Sequence, residues 1–248
     1  MVLAVGALLF LAVERTMVGT GNPNYVPAAI LLGASVIPAA FLAFVDGRRL
    51  PYSVPFELVA GTAFFGGVVG TVVAGLLEYD TIRHLGGLPM LGVGVIEEAS
   101  KLIAPLALLP FLRVAGRTVT RADGLLLGVA CGAGFAALET MGYAFVTLLH
   151  SGGSITDTVD TLALRGVLSP AGHMAWTGIA AGALYAAAAS GWQRRRVLQF
   201  GLSFAAAVVL HTLWDGIGTP LAYGVLAVAS LGLLWLTAHR TLRTQEQS

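Results

Sequence analysis

The sequence predicts an all-α protein, a polytopic bundle of transmembrane helices, and three observations carry that reading. Of 248 residues, 56% are hydrophobic and 11% charged, with a mean hydropathy of +0.82, which is more apolar surface than a water-soluble globule can bury. The apolar residues fall into runs, most of them reaching the ~20 residues that cross a bilayer as a helix. Fixed positive charge comes from thirteen arginines and one lysine, and the arginines are distributed unevenly between the loops. A net charge of +1, with no basic patch interleaved with aromatics, offers nothing to nucleic acid. The single cysteine, Cys131, lies in an apolar run, which excludes an intrachain disulfide and a cysteine metal site and leaves packing.

Eight segments follow in order: Val2–Val13, Val26–Val45, Phe56–Leu77, Leu88–Leu112, Gly124–Leu149, Gly166–Ala189, Val197–Ile217 and Pro220–Ala238. The first is short and stops at Glu14-Arg15; without a basic start or a small-residue cleavage site it reads as a tilted or shortened span, not a signal peptide. Small residues let membrane helices approach closely, and Gly66-xxx-Gly70, Gly128-xxx-Gly132 and Gly178-xxx-Gly182 fit that use. The loops after segments 2, 4 and 6 and the C-terminal tail hold Arg48, Arg49, Arg113, Arg117, Arg121, Arg194, Arg195, Arg196, Arg240 and Arg243. The opposite loops, "LEYDTIRHLGG" and "HSGGSITDTVDTLALR" among them, hold only Arg15, Arg83 and Arg165. The positive-inside rule then places both termini in the cytoplasm. The expectation is one integral domain of the cell membrane over residues 1–248, its polar centre within about 88–217.

Ionisable groups inside spans cost on the order of 3 kcal/mol each on insertion scales, so they need a partner or a role. Here they are Glu97, Glu98 and Lys101 in segment 4, Glu139 in segment 5, His173 in segment 6, and His211 with Asp215 in segment 7. At ~1.5 Å per residue Glu97 lies about 13 Å, and Glu139 about 15 Å, from the outer ends of their segments. His173 and His211 lie about 10 Å from theirs. Four helices of alternating direction therefore bring their polar groups to one slab in the outer half of the bilayer. Lys101 falls one turn below Glu97 and Glu98 and can pair with either. Gly94, one turn above, leaves room for a substrate or a water. Asp215 sits one turn from His211 and can orient its imidazole, while Ser169, His173 and Thr177 form a polar stripe. Ser169-Pro170 reads as a kink.

Carboxylates and imidazoles without an evident serine or cysteine nucleophile suit hydrolysis by an activated water. A glutamate takes the proton, and a histidine or second acid serves the oxyanion or the leaving amine. Alternatively His173, His211 and a glutamate such as Glu98 hold a divalent metal, zinc for example, that activates the water. No HExxH-type spacing exists in the chain. Two other readings use the same residues: a proton- or ion-coupled transporter with a polar relay, or a non-catalytic binding or immunity protein.

These motifs resemble a known family. "EEASK" (Glu97–Lys101) is similar to the EExxK motif of PrsW-type intramembrane proteases, and "FAALE" (Phe135–Glu139) to their FxxxE motif. "SPAGHMAWTG" and "HTLWDG" are similar to the two later histidine motifs, the second of HxxxD form. The wider superfamily includes the CAAX prenyl proteases and bacteriocin-immunity-type proteins. The resemblance implies that Glu97 and Glu98 hold the catalytic water and that Lys101 supports them. It implies that Glu139, His173 and His211 complete the site, with Asp215 behind them, and that the substrates are membrane-anchored proteins; Thr177 of the polar stripe is expected behind the site as well. It leaves the metal open. The arginine distribution predicts that a reporter fused in the loop after segment 4, at Gly116, is retained in the cytoplasm; an extracytoplasmic signal there would reverse the topology.

Overall fold

A computed structural model describes residues 1–48 and 50–245, with side chains to residue 242; Arg49 and the Arg243 side chain, both in the arginine pattern above, lie outside the described residues. Among the described residues there are eleven α-helices and no strand. They are α1 (Val2–Thr20), α2 (Val26–Asp46), α3 (Phe56–Gly61), α4 (Gly67–Leu85), α5 (Met90–Lys101), α6 (Ile103–Val114), α7 (Arg121–His150), α8 (Ile155–Leu168), α9 (His173–Ala189), α10 (Arg194–Ile217) and α11 (Pro220–Gln245). Six stretches among the described residues are long and apolar enough to cross a membrane: Val2–Thr20, Pro23–Asp46, Phe56–Leu85, Arg121–His150, Arg194–Ile217 and Pro220–Leu242. The protein is an integral membrane helix bundle.

Several elements differ from expectation for identifiable reasons. Helix α1 does not stop at Glu14-Arg15. It continues to Thr20, because both residues are tolerated in a helix, and it ends where Gly21 takes a left-handed φ of 62°. The fourth expected segment is broken into α5 and α6 at Leu102. Pro105 has no N–H to give the Lys101 carbonyl, and the Cys131 thiol donates to that carbonyl instead at 3.1 Å. The cysteine thus has a polar duty as well as a packing one. The stretch from Ser154 onward is helix α8, not loop: Ser154 accepts from the Asp157 N–H, and Asp157 occupies the first turn. Ser169-Pro170 begins a 3-10 turn, Ser169–Ala171, so the kink lies where it was expected and α9 starts at His173 itself. The two expected spans that are not continuous are the ones carrying "EEASK" and His173.

Helices α7 and α9 form the centre. Helix α9 is apolar on every side and buried almost throughout, as a helix enclosed by others must be. It lies antiparallel on a stripe of α7 glycines. A Cβ on Gly124, Gly128 or Gly132 would run into the carbonyl oxygens of Ala181, Thr177 and His173 respectively. On another face of α7, Gly134 meets Gly67 and the Ala63 carbonyl, which a π-helical turn at Thr62–Gly66 pushes toward it. The bundle exterior displays Phe64, Phe65, Leu106, Phe111, Leu202 and Val228, a surface for lipid. At the arginine-rich end, Thr120 and Asp123 form a capping box for α7, and Asp123 also accepts from the Ser53 and Val54 N–H groups at 2.5 and 3.2 Å.

Gly128→Ala and Gly132→Ala are each expected to destabilise the bundle by about 1–3 kcal/mol through overpacking. Gly142→Ala, on the same helix with open space around it, should not. Thermal unfolding in detergent compares the three.

Candidate active site

The site is assembled from the ends and breaks of helices. Glu97, Glu98 and Lys101 occupy the last turn of α5, all buried. The Lys101 ammonium is fully enclosed and donates to Glu97 Oε2 at 3.1 Å and Glu98 Oε1 at 2.8 Å. It therefore pairs with both carboxylates at once. Its third contact is His173 Nδ1 at 2.7 Å, and the Phe135 ring lies 4.2 Å below it. An ammonium only donates, so His173 Nδ1 accepts and its Nε2 carries the hydrogen. That N–H points at Glu139 Oε2, 2.8 Å away. The result is a relay from α5 through α9 to α7.

His211 forms the second arm. Its Nδ1 is 2.9 Å from Glu98 Oε1, and its Nε2 is 3.1 Å from Asp215 Oδ2 and 3.5 Å from Glu97 Oε2. Both ring nitrogens face carboxylate oxygens. Trp176 stacks on the imidazole with centroids 4.9 Å apart and is itself tied to Ser230 Oγ by its indole N–H at 2.9 Å. The four groups expected to share one slab, Glu97, Glu139, His173 and His211, are linked with Glu98 and Lys101 in one network, with Asp215 attached to it. Thr177 is fully buried, but its hydroxyl has no hydrogen-bond partner. Gly94 is not beside open space: a Cβ there would meet Thr212 Oγ1 at 2.9 Å and Val208 O at 3.1 Å, so it seats α5 on α10.

The donor atoms that converge are also specific. Glu97, His173 and His211 each bring one ligand atom to within 4.8 Å of the others. Glu97 thus takes the place expected for Glu98, whose Oε1 is occupied by Lys101 and His211 Nδ1. Two imidazoles and one carboxylate are a donor set that zinc accepts. The other Glu98 oxygen is buried without a partner, so the pocket has unspent acceptor capacity. In donor type and spacing the residues fit a divalent ion, which would take one His173 nitrogen from Lys101 or Glu139 and one His211 nitrogen from its carboxylate partner.

Two residues escape a reading of the sequence. Arg165, taken there as a loop arginine, lies on α8 and donates to Glu139 Oε2 at 2.6 Å, with its guanidinium 3.8 Å from the Tyr143 ring. Its Nε is buried and unpartnered. The available signal was its position one turn before the Ser169-Pro170 kink. Glu78, placed by sequence in an outer loop, lies on α4 within electrostatic reach of Glu97, Glu139, His211 and Lys101, and its Oε1 is buried without a partner. A cavity of about 90 Å³ opens beside the cluster, lined by Thr140, Arg165, Ser169, His173, Trp214 and Tyr223.

Removing the central cation isolates two buried carboxylates. Lys101→Met is therefore expected to cost about 3–5 kcal/mol of stability. Asp215→Asn, at a side chain 36% exposed, should cost less than about 1 kcal/mol. Unfolding midpoints of the two variants in detergent distinguish these outcomes.

No curated protein and no solved structure matches the chain. Residues 54–238 match the family described as PrsW family intramembrane metalloprotease, a stretch that contains every residue of the network. The chain belongs to the PrsW family and is an intramembrane protease.

Proposed function

We propose that the protein cleaves a peptide bond of a membrane-anchored substrate with a water held at Glu97, and that the cavity beside His173 receives the scissile carbonyl. The convergence of Glu97, His173 and His211 within 4.8 Å, beside the cavity that His173 lines, is the observation that supports this reading. The side chain of Glu97 is 10% exposed against 1% for Glu98, so Glu97 is the carboxylate a water can reach. Glu98 is the anchor, holding Lys101 and His211 in place. The divalent ion implied by the family description would be held by Glu97, His173 and His211, and it would supply a polarised water at neutral pH.

The chain's own groups supply the remaining chemistry. Glu97 takes a proton as the water oxygen bonds to the carbonyl carbon, and it returns that proton to the leaving amine when the C–N bond breaks. Lys101 balances the charge of the two carboxylates through its contacts with both. The Arg165 Nε–H, buried and unpartnered, is a donor for the developing oxyanion. Glu139 orients both His173 and Arg165. By the arginine count the cut falls in the outer half of the cell membrane, which suits release of a regulatory protein from its anchor.

With purified protein and a membrane-anchored substrate, Glu97→Gln is expected to lower cleavage at least about 100-fold in protein that its melting curve shows to be folded. Cleavage that survives both Glu97→Gln and Glu98→Gln would sink the hydrolase assignment. A chelator should abolish cleavage and zinc restore it; full activity after chelation, with Glu97→Gln still inactive, assigns water activation to the carboxylates alone.

A further inference from the structure

The arginine-rich end of the bundle contains a second, half-open cavity, at the opposite end of α7 from Glu139. It is a cavity of about 320 Å³ bounded by Arg121, Arg196, Thr120, Ser190, Thr241 and the small side chains of α9. All of these residues stand at helix ends: Arg121 opens α7, Arg196 lies in the first turn of α10, Ser190 closes α9 and Thr241 is near the end of α11. That places the cavity at the depth of lipid headgroups.

Its charge is one-sided. Arg121 lies within electrostatic reach of Arg196 and of Arg240. Among the described residues no carboxylate lines the cavity. The nearest in sequence, Asp123, is already occupied by the N–H groups of Ser53, Val54 and Thr120 and by the Thr120 hydroxyl. The other negative pole available, the C-terminus of α9, is satisfied too. Arg113 donates to Ala188 O at 2.6 Å, and Ser190 and Trp192 N–H groups take Ala186 O and Ala187 O. Arg121 Nε is nonetheless buried with no hydrogen-bond partner. Of the consecutive arginines 194–196, only Arg196 turns inward, while Arg194 and Arg195 are exposed. The buried Arg121 Nε stands beside a second guanidinium whose Nη1 donates to Gln199 Oε1 at 3.0 Å, and among the described residues no acid lines the cavity; this is a geometry for a multivalent oxyanion.

We propose that this cavity binds a phosphate group, that of an anionic phospholipid or free phosphate, between Arg121 and Arg196. The first turns of α7 and α10 add backbone donors and the favourable pole of their dipoles. Thr120, Ser190 and Thr241 line the remaining walls, their hydroxyls donating to Asp123 Oδ2, Ala187 O and Thr237 O. The site is independent of the protease reading, since none of its residues belongs to the catalytic network.

The test is native mass spectrometry of the detergent-purified protein offered phosphatidylglycerol or phosphatidylcholine, with inorganic phosphate in a separate arm. Phosphatidylglycerol should be retained in preference to phosphatidylcholine. Retention should fall about tenfold in Arg196→Gln and also fall in Arg121→Lys, which keeps the charge and loses the fork, but not in Arg195→Gln. A phosphate adduct with the same variant sensitivity and no lipid preference supports the site and assigns free phosphate as its occupant. Equal retention in Arg196→Gln and Arg195→Gln, with both variants folded by their melting curves, overturns the proposal.

Discussion

The contact on which the rest of the structure depends is the close approach of α7 and α9. Three α7 glycines, Gly124, Gly128 and Gly132, lie directly against the α9 backbone at Ala181, Thr177 and His173. Between helices in lipid there is no hydrophobic driving force, so association rests on close packing, and glycine permits the closest packing there is. The same contact sets the chemistry. Because Gly132 seats the His173 backbone, the imidazole reaches Lys101 on one side and Glu139 on the other. A scaffold interaction and the placement of His173 in the polar network are one feature of this fold.

The site also depends on where helices fail. Pro105 breaks the α5–α6 span just after Lys101, and Pro170 forces the turn from which α9 starts at His173. Non-helical backbone is tolerated at membrane depth only where protein encloses it, and here Cys131 satisfies the freed Lys101 carbonyl. Each break ends a helix beside a polar residue that a continuous apolar span would have had to accommodate alone. The ionisable groups then satisfy one another: an ammonium among two carboxylates and an imidazole, and a second imidazole among three carboxylates.

Much of this was legible beforehand because charge in a membrane span is so costly that every instance carries information. Glu97, Glu98, Lys101, Glu139, His173 and His211 stood out against apolar surroundings, and helical rise alone put Glu97, Glu139, His173 and His211 at one depth. Arg165 and Glu78 did not stand out, because in sequence they sit among polar residues that read as loop. Helices α8 and α4 extend over those stretches and carry both side chains inward. Gly94 was read as space and is a packing contact. Whether a glycine opens a cavity or closes an interface depends on what lies opposite it, and one helix does not contain that information.

The sequence by itself determined the solvent, the helical class and which residues had to find partners, since those follow from hydropathy, length and the cost of buried charge. Only the tertiary structure decided who pairs with whom. Glu97, not Glu98, converges with the two histidines; Lys101 bridges both carboxylates to His173; and Arg165 stands behind Glu139. The physical reason is that depth is a one-dimensional property, fixed by counting residues along each helix. Pairing requires the rotation and separation of helices, and those are set by the glycine contacts and proline breaks between them.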